Sequence, residues 1–146
     1  MTTQQVSLIK NTWKVFQTID PVLVGNVFYS KLFLTDPKLR RMFNVSKDEQ
    51  SKKLIEMLNI IVGRLDRLDE LTEDIKQLAI RHVSYGVKPK HYDVVGNALY
   101  WTLEQGLGKD WNENVKEAWT DCYVLLSQTM IDAGGYFQDN KEVGKN

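Results

Sequence analysis

The stretch IKQLAIRHVSYGVKP, residues 75–89, decides how this chain is read. Ile75, Leu78, Ala79 and His82 stand at i, i+3, i+4 and i+7, the spacing that places side chains on one face of a 3.6-residue helix. His82 therefore points inward from an amphipathic helix. Gly86 and Pro89 close that helix, the glycine just past its end and the proline beyond. By residue type alone, an inward histidine is either a hydrogen-bonded core residue or a metal ligand. His82 is one of only two histidines, and no carboxylate stands near it in sequence as an obvious partner, which favours the ligand.

Outward from this segment the helical period continues almost end to end, and no segment alternates as a strand would. Ile9, Trp13 and Phe16 form one stripe; Asp20-Pro21, an N-cap with a first-turn proline, opens a helix carrying Val24, Val27, Phe28 and Leu32. Asp36-Pro37 repeats the device for a short helix that holds Leu39 and Met42 and ends near Phe43. Ser46 followed by Glu49 reads as a capping box before a long helix with Leu54, Leu58, Ile61 and Leu65 on one face. The charged run Arg64 to Glu70 is expected to be a link. Two long helices follow, lined by Val95, Ala98, Leu99 and Thr102 and by Val115, Trp119, Cys122, Leu126 and Met130, with a break expected at Gly106, Gly108 and Asp110. The polar segment 134–146 is expected to be a flexible tail.

Length and charge narrow the function. A chain of 146 residues makes one ordinary domain with a single core. Nineteen basic and nineteen acidic residues cancel, so the chain lacks the electrostatic footprint that nucleic acid or an anionic membrane would select. Met1 to Lys14 has no secretion-signal pattern, and the most apolar stretch, Leu54 to Leu65, is interrupted by Glu56, Asn59 and Arg64. A soluble protein is expected, and the single Cys122 points to a reducing, cytoplasmic compartment. The absence of Gly-x-Gly-x-x-Gly and Walker-type motifs disfavours nucleotide-dependent chemistry.

Taken in order, these features resemble the globin family over Val6 to about Ala133. The stretches Phe28-Tyr29 to Phe33, Asp36-Pro37 to Phe43, and His82 to Val95-Gly96 are most similar to bacterial single-domain globins and to the haem domain of flavohaemoglobins. The resemblance implies an all-α globin fold of seven or eight helices around a haem pocket, with residues 1–133 as the domain. It also implies haem b (iron protoporphyrin IX), held non-covalently, since no Cys-x-x-Cys-His attachment motif is present.

By the same resemblance, His82 is the proximal ligand, with Nε2 on iron and the other ring nitrogen donating to a nearby acceptor. Phe43 packs against the porphyrin, and Val87 and Val95 line the proximal side and the haem edge. Tyr92 matches a tyrosine that buttresses the proximal histidine in flavohaemoglobins. The glutamate that joins it there is missing, because the simplest alignment puts Gly134 at its place. Tyr29 matches the distal tyrosine and Gln50 the distal residue of the long helix; Leu54, four residues on, is stacked on the same face. By residue type alone, Phe43 is a core aromatic, the valines are ordinary core, and Gln50 and His91 are surface residues.

Dioxygen held at ferrous iron gains electron density, and Tyr29 and Gln50 each supply a hydrogen-bond donor to it. Bonds of this kind are worth roughly 1.5–3 kcal/mol each, so two slow ligand escape by about a hundredfold to ten-thousandfold. Carbon monoxide gains less. Gln50 does not ligate iron as a histidine would, which leaves the sixth position open unless Tyr29 or water fills it in the ferric form. Three functions compete: reversible dioxygen binding for storage or delivery, nitric oxide dioxygenation with a separate reductase, and a cofactor-free helical module.

Overall fold

Six α-helices follow one another in the protein, a computed structural model that describes residues 1–135: α1 (Thr3–Phe16), α2 (Pro21–Thr35), α3 (Lys47–Gly63), α4 (Thr72–Ser84), α5 (Pro89–Leu107) and α6 (Glu113–Ala133). Shorter 3₁₀ helices occupy Pro37–Met42, Leu65–Leu71 and Gly108–Asp110, and the described residues contain no strand. From residue 136 onward, the tail expected at 134–146 lies outside the described residues.

The helices begin where small polar side chains satisfy their first N–H groups. Thr2, Asp20, Ser46 and Asn112 accept from Gln5, Val22, Glu49 and Val115 respectively. Both Asp-Pro pairs act as expected: Asp20 caps α2, and Asp36 caps the 3₁₀ helix Pro37–Met42.

One end of the core is built on tryptophan. Trp13 and Trp119 lie 5.9 Å apart between α1 and α6, and each indole N–H has an acceptor: Asn59 Oδ1 at 2.7 Å and Thr12 Oγ1 at 3.0 Å. Large apolar area is thereby buried without an orphaned donor. At the α2–α3 crossing, a Cβ on Gly25 would stand 2.2 Å from the Cβ of the fully buried Ser51, so only glycine permits this approach. Beyond the crossing, α2 packs on α5, and α4 rests mainly on α6.

Three local expectations are revised. The run Arg64 to Glu70 is not a plain link, because Leu65 and Leu71 are buried and draw it into a 3₁₀ helix kinked at Arg67. Helix α5 runs through Gly106, where the Phe16 ring stands 2.4 Å from the position a Cβ would take, and ends at Gly108 with φ +55°. The buried face of α3 is Ser51, Ile55, Leu58, Ile61 and Val62, while Leu54 is half-buried. No helix among the described residues is long and apolar enough to cross a membrane.

Candidate functional site

His82 sits in the last turn of α4, where carbonyl groups run out of helical N–H partners. Its Nδ1 lies 2.8 Å from the Leu78 carbonyl one turn back. A carbonyl only accepts, so Nδ1 carries the proton and donates, and Nε2 is left with a lone pair. The His82 carbonyl accepts from Val87 N at 3.1 Å across Gly86, whose φ of +88° reverses the chain. Ring and backbone are thus both anchored by the helix end. Burial holds the imidazole below its usual pKa range against the opposing Leu78 bond, with neighbouring Arg81 adding to the depression. A neutral ring with one pinned nitrogen and one free lone pair is the form a metal ligand needs.

Tyr29, Phe43 and Gln50 come together at a second place. With Phe33, Arg40, Val45 and Lys47 they line a cavity of about 230 Å³. The rings of Tyr29, Phe33 and Phe43 meet edge-on or stacked at 5.3–5.8 Å. Arg40 lies over the Phe33 ring at 5.5 Å, and Lys47 Nζ donates to Ser30 Oγ at 2.5 Å. Burial pushes the Tyr29 phenol up to about 12, and hydrogen bonding with the Gln50 side chain opposes that shift. The phenol therefore stays protonated and keeps its donor near neutral pH. Gln50, a surface residue by type, is half-buried because the Gly25–Ser51 crossing turns this part of α3 onto α2.

Leu54 and Val95 are half-buried and pack against the core, and Val87 is half-buried after the Gly86 turn. Tyr92 is buried in the first turn of α5, and its carbonyl accepts from Tyr123 Oη at 2.6 Å. Gly134 caps α6 through its N–H to Met130 and offers no side chain to Tyr92. His91 is half-buried rather than fully exposed, and its Nδ1 accepts from Lys88 N at 2.9 Å. Sequence reasoning missed Phe33, Arg40, Val45 and Lys47. Phe33 was within reach, since it stands one helical turn after Tyr29; the other three depend on how the Phe43–Ser46 loop closes. A larger open cleft between α5 and α6, about 430 Å³, carries none of the expected site residues.

A haem fits these residues. Six of those assigned to it, Phe43, Gln50, Leu54, His82, Val87 and Val95, are half-buried, whereas the adjoining core is nearly fully covered. Four of the six are apolar and gain from a flat apolar group that completes their cover. Among the described residues no cluster of three or more His, Cys, Asp or Glu side chains stands ready for a metal ion. His82 could offer one nitrogen to a metal, and any further ligands would have to come with the cofactor itself.

Comparison with known proteins agrees with this architecture. The globin family profile matches residues 26–130. The chain is 30% identical to a flavohemoprotein of Vibrio cholerae over 99% of its own length and 38% of that protein's, so it spans about two fifths of that relative. It is 31% identical to an uncharacterized globin-like protein of Aquifex aeolicus, over 88% of this chain and 90% of that one. Among solved structures, a bacterial globin from Campylobacter jejuni superposes with a TM-score of 0.81 at 27% identity, covering 94% of this chain and 99% of the other. With the family profile matching most of the chain, and a fold to agree, this protein belongs to the globin family.

Proposed function

We propose that residues 1–133 form a globin unit that holds haem b non-covalently through His82 and binds dioxygen reversibly, for storage or delivery in the cytoplasm. The observation that carries this reading is the convergence of two neutral donors, Tyr29 and Gln50, in one aromatic-walled cavity. Haem supplies ferrous iron with a coordination position open to a diatomic ligand. The rest falls to the chain. His82 presents Nε2 because Leu78 holds Nδ1, while Phe43, Leu54, Val87 and Val95 supply apolar cover. In the cavity, the Tyr29 hydroxyl and the Gln50 amide offer hydrogen bonds to a ligand that carries partial negative charge, each worth roughly 1.5–3 kcal/mol. Phe33 and Phe43, in edge-on contact at 5.3 Å, give the space an apolar wall. Dioxygen gains more than carbon monoxide from such donors, and nitric oxide is a further ligand. The test is a repeated oxygenation cycle of the reduced protein followed in the Soret region. Reversible spectral change with one haem per chain supports the reading; a colourless protein that takes up no added haemin overturns it.

A second reading, nitric oxide dioxygenase, is favoured by the match of nearly the whole chain to a flavohemoprotein. Nitric oxide and dioxygen together with one electron yield nitrate, so each turnover draws an electron from a reductase. Sustained nitrate production with a separate flavin-dependent reductase selects this reading, whereas a single stoichiometric reaction selects the binder.

A further inference from the structure

The first turn of α3 is tied to α2 by a row of polar contacts that the cavity itself does not require. Asn26, Tyr29 and Ser30 stand at i, i+3 and i+4 on one face of α2. Opposite them are Lys47, Asp48, Gln50 and Ser51. Asn26 Nδ2 donates to Asp48 Oδ1 at 3.2 Å, and Ser51 Oγ lies 3.0 Å from Asn26 Oδ1 and 2.8 Å from the Lys47 carbonyl. Lys47 Nζ reaches Ser30 Oγ on the outer side. Ser51 is fully buried, wedged against Gly25 at the point where the helices touch. A buried hydroxyl at a helix crossing costs free energy unless it is bonded, and here it has two acceptors, one on each helix. Gln50 is bracketed by these ties. Sliding or rolling α3 enough to swing Gln50 away from Tyr29 would break the Asn26–Ser51 contact and take Ser51 out of the space that Gly25 leaves for it.

We propose that Asn26 and Ser51 are positioning residues: the Asp48–Asn26–Ser51 chain at the Gly25 crossing fixes the first turn of α3 so that Gln50 presents its carboxamide to the Tyr29 phenol in a single arrangement. The inference rests on the distal role of Gln50 given above. Neither residue lines the cavity, so any effect on its ligand travels through neighbours that do, Gln50 and Lys47, and the Gln50 amide resonance reports the first of these directly.

The test uses the haem-loaded full chain and four variants: Ser51→Ala, Asn26→Ala, Gln50→Leu and Thr102→Val. Thr102 is a buried hydroxyl bonded only within α5, to Ala98 O at 2.8 Å, and serves as the purely structural control. Three readouts are taken: the C–O stretching band of bound carbon monoxide, the oxygen dissociation rate, and the Gln50 side-chain amide resonance of the same chains before haem is added. One narrow band is expected for the wild type and for Thr102→Val. Ser51→Ala and Asn26→Ala are expected to split or broaden it, to shift the Gln50 amide, and to speed oxygen dissociation about fivefold, the worth of one weakened hydrogen bond. Should Ser51→Ala fail to fold, Asn26→Ala alone decides, because its side chain is only half-buried. If Gln50→Leu moves the band while Asn26→Ala and Ser51→Ala leave all three readouts unchanged, positioning is overturned and the distal role of Gln50 stands. If Gln50→Leu itself moves nothing, the distal reading falls, and the positioning inference falls with it.

Discussion

His82 and His91 stand nine residues apart, on the two sides of one turn, and the backbone gives their rings opposite characters. His82 is at the C-terminal end of α4, where spare carbonyls point outward; its Nδ1 donates to Leu78 O, and Nε2 keeps a lone pair. His91 is in the first turn of α5, where spare N–H groups point outward; its Nδ1 accepts from Lys88 N, so its proton sits on Nε2. Which end of a helix a histidine occupies has selected its tautomer, and with it whether the outer nitrogen can bind metal or only donate. The pair shows that residue type and the exposure class of the whole residue, which the two share, are not enough to choose a ligand.

The largest way to break the comparison is to remove each ring in turn. His82→Ala is expected to weaken haem retention by more than the ~10–100-fold that loss of an outer-shell partner costs, while His91→Ala retains haem as the wild type does. Haem transfer to a large excess of apomyoglobin measures both. Next comes the other side of the proposed site: Tyr29→Phe deletes one donor and should speed oxygen dissociation by about 10–100-fold in rapid-mixing experiments. An unchanged rate would show that the phenol does not touch the ligand. Gly86→Ala probes the turn that separates the two histidines. With φ at +88°, a side chain there should cost about 1–2 kcal/mol in urea unfolding.

The smallest effect belongs to His91 as a cap. His91→Ala should lose about 0.5–1 kcal/mol at neutral pH, because Lys88 N–H loses its acceptor. The pH dependence sharpens this. Partial burial, with Lys90 beside it, holds the His91 pKa below the usual range, so the folded state favours the neutral ring. The contribution is fully present above the ordinary histidine pKa of about 6.5 and is lost as pH falls through the lower folded value. Between pH 7 and pH 5 the wild type should therefore lose more stability than His91→Ala does.

Much of this was legible in the chain, for identifiable reasons. The two Asp-Pro pairs, the Gly86–Pro89 stop and the four-residue stripe ending in His82 are local signals, each decided within one or two turns, and all reappear in the structure. What stayed hidden depends on partners distant in sequence. Gly106 looked like a break because its neighbour Phe16 is ninety residues away, and the Phe16 ring is what makes a glycine necessary inside α5. Leu71 was masked by the charged run before it, and Leu65, read as part of the long helix's apolar face, is buried in the 3₁₀ helix that follows instead. Gln50 gained its half-buried position from the Gly25–Ser51 crossing rather than from its own type. The tautomer of His91 followed from a cap that sequence spacing alone does not reveal.

The measurement that bears most directly on the central claim is the iron–imidazole stretching band in the resonance Raman spectrum of the reduced, ligand-free protein. The account predicts that the band is present in the wild type and in His91→Ala, absent in His82→Gly, and restored to His82→Gly by added imidazole. An unchanged band in His82→Gly would contradict it.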